Sequence, residues 1–192
     1  MSGIVLDLCG GTGSWSAPYR EHGYDVRLVT LPDHDVLTYE PPPNVHGILA
    51  APPCCHFATS GRRWWRQKDA DGRTATAVAV VRACLRIVAQ ARPAWWALEN
   101  PSGRLWRFVP ELMYPRLSFD PCDYGDPYTK RTHLWGWFCI PPKSRVEPVV
   151  YEDSKGRRGS WLWANVGGGA KGKAIRSVTP PGFSAAFFKA NP

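Results

Sequence analysis

The sequence predicts an α/β fold, a mostly parallel sheet flanked by helices. Short apolar runs of strand length alternate with helical patterns over the first fifty residues, a longer helical pattern separates two further apolar runs, and Gly and Pro stand at the joints. Ile4-Val5-Leu6-Asp7 reads as the first strand, residues 14–21 as a short helix stopped by His22-Gly23, and residues 24–29 as a second strand. Val45-His46-Gly47-Ile48-Leu49-Ala50 is an apolar third strand. From Thr74 to Arg92 the period becomes helical, with Val78, Val81, Leu85 and Val88 on one side and Arg82, Arg86 and Gln90 on another, until Pro93 closes it. Trp95-Trp96-Ala97-Leu98 is an inner strand, and Arg104 to Met113 is an irregular helical stretch broken near Pro110. Leu117 to Pro121 and Leu134 to Ile140 supply the last strands, and Phe183, Ala186 and Phe187 give a terminal helix its packing face.

At 192 residues and 44% hydrophobic, the chain supports one core, so residues 1–192 are expected to form a single catalytic domain. Residues 141–176 turn rich in Pro, Gly, Lys and Arg, with residues 152–159 and Gly167-Gly168-Gly169 expected as exposed loops. A net charge of +8 suits a polyanion or a phosphorylated substrate and does not choose between them. Six cysteines without a metal-type repeat, and an N-terminus that enters a strand directly, predict a reducing intracellular setting, cytoplasmic or nucleoid-associated. Arg82 and Arg86 interrupt the Ala/Val-rich segment, so no membrane span is expected.

Three motifs fall just past strands, where open parallel sheets bind their ligands. Asp7-Leu8-Cys9-Gly10-Gly11-Thr12-Gly13 is a strand end and glycine turn that lets a backbone approach a ligand closely, with Asp7 placed to orient the turn or to receive an ammonium group. The spacing is not the dinucleotide fingerprint, and no Lys-Ser or Lys-Thr pair follows, so a nucleoside fits better than a polyphosphate; relief of steric strain is the plainer role. Asp33 and Asp35 follow the second strand, where Asp35 suits an adenine amino group and either suits a turn. Pro52-Pro53-Cys54-Cys55-His56-Phe57 puts a thiol after the third strand, and Glu99-Asn100-Pro101 ends the fourth. His56 beside two cysteines lacks the spaced partners of a four-ligand site, so no metal is expected.

Taken in order, these motifs resemble those of the cytosine 5-methyltransferases. The strand and glycine turn look like that family's S-adenosyl-L-methionine loop, with Cys9 in the place of an aromatic residue. Pro53-Cys54 looks like its proline-cysteine nucleophile motif, with Pro52 beside the cofactor, and Glu99-Asn100 looks like its glutamate-asparagine motif. Asp123-Tyr124-Gly125-Asp126-Pro127 and the following Tyr128-Thr129-Lys130-Arg131 resemble its tyrosine-glycine-x-proline segment, which continues with two spaced arginines; Lys130 matches the first, Thr132 falls at the second, and Arg131 is a substitute between them. The resemblance implies a Rossmann-like S-adenosylmethionine-dependent methyltransferase. In it Cys54 adds to the 6-position of cytosine, Glu99 bonds ring nitrogen 3 and the exocyclic amine, and Asn100 holds the loop.

Residues 59–68 combine basic and aromatic positions in what reads as a mobile loop. Arg62 and Arg63 are expected on phosphates, with Trp64 or Trp65 stacking on a base, or else anchoring the loop to the core; Tyr124 joins them as a substrate contact. In the family the corresponding loop closes around a flipped cytosine. The resemblance departs at the second strand, where Val29-Thr30 lacks the usual acidic residue, and at residues 141–176, which stand where a target-recognition domain is expected. DNA is the partner expected first. Free cytidine or deoxycytidine nucleotides remain an alternative, as does an inactive nucleic-acid-binding relative or one completed by a protein partner.

Overall fold

In the computed structural model, residues 3–156, 158–160, 166, 172 and 175–192 are described. The sheet is built from β1 (Ile4–Leu8), β2 (Asp25–Val29), β3 (Val45–Ala50), β4 (Trp95–Pro101), β5 (Leu117–Phe119) and β6 (Thr132–Trp137). Their order across the sheet is β2-β1-β3-β4-β6-β5. The first four run parallel, while β6 is antiparallel to both β4 and β5. The expected mostly parallel α/β sheet is therefore the one observed.

Helices cover both faces: α1 (Ala17–Glu21), α2 (Trp65–Ala70), α3 (Arg73–Ala91) and α4 (Pro181–Ala190). The period-2 alternation of the strands feeds two cores. Leu6, Leu8, Ile48 and Leu98 pack with Val81, Cys84 and Ile87 of α3 on one face. Val5, Leu49 and Ala97 pack with Trp15, Tyr19, Phe183 and Phe187 on the other. The terminal helix docks as expected, with Phe187 in edge contact with Trp15 at 5.6 Å between ring centroids.

Three segments differ from the expectation. Residues 59–70 are helical rather than a mobile loop: a 3-10 turn at Thr59–Trp64 runs directly into α2. The expected exposed loop at 152–159 overlaps, in its described residues, the ends of a small antiparallel hairpin, β7 (Val150–Glu152) against β8 (Arg158–Ser160). By length and composition α3 is apolar enough to cross a membrane, contrary to the expectation drawn from Arg82 and Arg86; it packs on the sheet, with Val81, Cys84 and Ile87 fully buried. Gly167-Gly168-Gly169 lies outside the described residues.

The topology fixes where a site forms. The chain leaves β1 toward β2, then crosses back to β3, so the order reverses between β1 and β3 and a crevice opens at their carboxyl ends. Because β6 is antiparallel, its first residues lie at that same edge: Glu99 pairs with Leu134, Asn100 with His133 and Pro101 with Thr132.

Candidate active site

The glycine turn closes the end of β1, and its hydrogen bond from Gly13 N to Gly10 O is 3.0 Å. Gly11 and Gly13 have φ of +56° and +70°, the left-handed region where a side chain is strained, and the space over Gly11 is open. A Cβ on Gly10 would strike the Asp7 carboxylate. Asp7 is fully buried; Ser16 Oγ donates to its Oδ2, while its Oδ1 has no hydrogen-bond partner among the described residues. Burial raises its pKa to about 6, against the opposing hydrogen bond from Ser16. The open glycine cradle lies beside a buried carboxylate oxygen, an acceptor that an ammonium group would satisfy as donor. Leu8 is a core residue, Cys9 packs into the α3 core beside Cys84, and Thr12 is exposed, so this turn meets a ligand chiefly through backbone. Asp33 and Asp35 are exposed after β2, and Asp35 closes a turn by accepting from Leu37 N at 2.9 Å.

The loop that carries Cys54 begins at the neighbouring strand end, where Ala51 N donates to Leu8 O at 2.9 Å. Cys54 opens a tight turn, its carbonyl accepting from Phe57 N and Ala58 N at 2.9 Å each. Its thiol is pushed up to about 11, first by burial and then by the charge of Glu99, with Lys130 pulling the other way. Burial likewise raises the Glu99 carboxyl, again opposed by Lys130. Thiol, carboxyl and ammonium thus lie within electrostatic reach of one another although they are 45 and 31 residues apart in sequence. Lys130 Nζ also donates to Arg176 O at 3.0 Å, bringing the C-terminal segment to the site.

The second cation is not a substitute. Arg131 turns away to pair with Asp120 at 3.4 Å, so Lys130 alone of the two faces Cys54. Asn100 is buried and its Nδ2 donates to Pro52 O at 3.1 Å, the loop-holding contact expected of it. Tyr124 is corrected: at 4% exposure it lies among Phe119 and Phe183, its hydroxyl donating to Pro141 O, so it supports the core and is withheld from a substrate.

No protein-family model matches the chain, and no curated protein matches it. Among solved structures it is similar to a prophage-encoded E. coli protein described as a candidate DNA modification methyltransferase, at 18% identity and a TM-score of 0.51, over 76% of this chain and 52% of that one. It is also similar to the Entamoeba histolytica methyltransferase EhMeth, at 11% identity and a TM-score of 0.49, over 88% of this chain and 61% of that one. The chain spans about half the length of the first and less than two thirds of the second. What it shares with the E. coli protein is the fold.

Residues 59–70 divide the expected substrate contacts. Arg62, Arg63 and Trp64 are exposed, and the Arg63 guanidinium lies over the Trp64 ring at 5.0 Å. Trp65 is half-buried beneath the guanidinium of Arg104 at 4.6 Å, which makes it an anchor of the segment rather than an open stacking face. Sequence reasoning missed Ser16, which bonds Asp7, Arg104, which lies over Trp65, and Asp69, which holds Arg104. Asp69 and Arg104 pair across 35 residues, a separation that carries no local pattern; Ser16 was legible only as a polar residue before a short helix.

Proposed function

We propose that this chain transfers a methyl group from S-adenosyl-L-methionine to the 5-position of cytosine in DNA, through a covalent Cys54 adduct. The observation that carries the reading is the meeting of Cys54, Glu99 and Lys130 at one sheet edge, beside the glycine turn of β1. The shared fold and the order of the motifs support it.

The 5-carbon of cytosine is a poor nucleophile, and addition at the neighbouring 6-carbon makes it a better one. Cys54 gives its proton to water and becomes a thiolate, favoured by the Lys130 ammonium, and its sulfur bonds to the 6-carbon as the 5,6 double bond opens. Glu99, whose carboxyl is held protonated more readily than usual by burial, donates toward ring nitrogen 3 and stabilises the charge that develops there. S-adenosyl-L-methionine, when bound, supplies the methyl group at the 5-carbon. Asp7 Oδ1 would accept from its ammonium group, with the backbone of Gly10, Gly11 and Gly13 against the nucleoside. Loss of the 5-proton to water, with the nitrogen 3 proton returning to Glu99, then restores the double bond and expels the Cys54 thiolate. Arg62, Arg63 and Trp64 lie on the same segment as the nucleophile loop and suit a phosphate backbone and an unstacked base.

The test is transfer of labelled methyl from S-adenosyl-L-methionine to matched DNA, RNA and free cytosine nucleotides, followed by mass analysis of nucleosides. Five-methylcytosine in DNA is expected. Label confined to free nucleotide or to RNA would overturn DNA as substrate, and a methylated exocyclic amine would overturn the covalent route.

A further inference from the structure

We propose that Arg104 is a positioning residue that latches the segment after Cys54 onto the loop after Glu99, and so sets how the nucleophile faces the acid. The inference rests on the reading of Cys54 and Glu99 given above. Arg104 is 6% exposed, five residues beyond Glu99, and every part of its guanidinium is engaged. Nη1 and Nη2 donate to the two Asp69 carboxylate oxygens at 2.7 Å each, and Nη2 reaches Thr74 Oγ1 at 3.2 Å. Nε donates to His56 O at 3.1 Å, and the backbone N of Arg104 donates to Phe57 O at 3.0 Å. The guanidinium carbon lies over the Trp65 ring at 4.6 Å and over the Phe108 ring at 5.1 Å from the centroids.

These bonds converge on the few residues that follow Cys54. His56 and Phe57 carry the carbonyls, and α2 carries Asp69 and Trp65. Lys68, also on α2, donates to Cys55 O, so the helix is folded back on the start of its own segment. The two loops are joined directly as well: Ala58 and Gly103 form an antiparallel bridge, and Thr59 N donates to Ser102 O at 3.0 Å. A Cβ on Gly103 would sit 2.0 Å from Phe57 O, so the approach requires glycine. A planar fork that donates to a carboxylate and a carbonyl while lying against two aromatic rings is chemistry that lysine, a point charge, does not reproduce.

The partner carboxylate is reachable without opening the core, since the Asp69 side chain is 44% exposed. Asp69→Asn is therefore the primary variant, with Asp69→Glu as rescue, Arg104→Lys as the second lesion, and Asp71→Asn as a control on the same surface. Three readouts apply to the intact chain: trypsin cleavage after Arg62, Arg63 and Arg66, iodoacetamide alkylation of Cys54 followed by peptide mass, and kcat and KM for methyl transfer. Asp69→Asn and Arg104→Lys are expected to speed cleavage and alkylation several-fold and to lower kcat by about tenfold or more, as misplaced reacting groups do, with KM for S-adenosyl-L-methionine unchanged. Asp69→Glu restores all three, and Asp71→Asn changes none. Unchanged cleavage and alkylation in Asp69→Asn overturn the latch. So does a fall in kcat that Asp69→Glu does not rescue and that tracks a fall in Tm. If the wild-type chain methylates no cytosine substrate, the reaction assignment fails while cleavage and alkylation still decide whether Arg104 positions Cys54.

Discussion

The side chain of Asn100 donates to the carbonyl of Pro52 at 3.1 Å, tying the end of β4 to the loop that carries Cys54. Both residues are buried, so the bond has no water to replace it. Asn100→Ala leaves the Pro52 carbonyl unpaired, at about 1–3 kcal/mol. The expected result is a lower Tm together with a lower kcat and retained affinity for S-adenosyl-L-methionine. Calorimetry and a methyl-transfer assay on the same preparation check it; a variant with wild-type kcat would remove the loop-holding role.

The free thiol of Cys54 is expected to be protonated at neutral pH, because burial and Glu99 outweigh Lys130 and put its pKa at about 11. Alkylation of the Cys54 peptide should rise by about tenfold per pH unit through the neutral and mildly alkaline range, following the thiolate fraction. Removing the cation in Lys130→Met should slow it, and removing the anion in Glu99→Gln should speed it. A Lys130→Met curve that overlays the wild type would mean that the ammonium does not act on this thiol. Cys54→Ser should abolish methyl transfer while leaving cofactor binding intact.

Asp7 gives a stability signature with a definite sign. Its folded pKa of about 6 lies above the ordinary 3.8, so the folded state binds the proton more tightly than the unfolded state. Below the lower value both states are protonated and no penalty exists; as pH rises through the folded value, the buried carboxylate costs ~3 kcal/mol. Asp7→Asn should therefore melt at or above the wild type at neutral pH, with the advantage fading under acid. The same variant should bind S-adenosyl-L-methionine more weakly, because it has no charge to meet the ammonium. Melting curves across pH and titration calorimetry separate the two effects.

Exposed Arg62, Arg63 and Trp64 and half-buried Trp65 should behave differently although they are neighbours. Arg62→Ala and Arg63→Ala are expected to weaken DNA binding and to reduce the slope of log K against log salt by about 0.9 for each phosphate no longer neutralised. Trp64→Ala should weaken binding without changing Tm, whereas Trp65→Ala removes the surface beneath Arg104 and should lower Tm. Fluorescence anisotropy over a salt series, with melts alongside, distinguishes them; equal effects at both tryptophans would contradict the division.

The parallel strands, the long α3, the terminal aromatic helix and the strand-end positions of Asp7, Cys54 and Glu99 were all legible in the chain alone, because periodicity and glycine or proline punctuation are local signals. The helical nature of residues 59–70 was present there too, but glycine and adjacent tryptophans masked it until the distant Arg104 pinned the segment through Asp69 and Trp65. Packing settled that Lys130 rather than Arg131 faces the thiol, since an antiparallel β6 brings both to the site and Asp120 claims one of them. It likewise made anchors of Tyr124 and Trp65, because burial and ring contacts are properties of the packed chain that neither residue type nor spacing specifies.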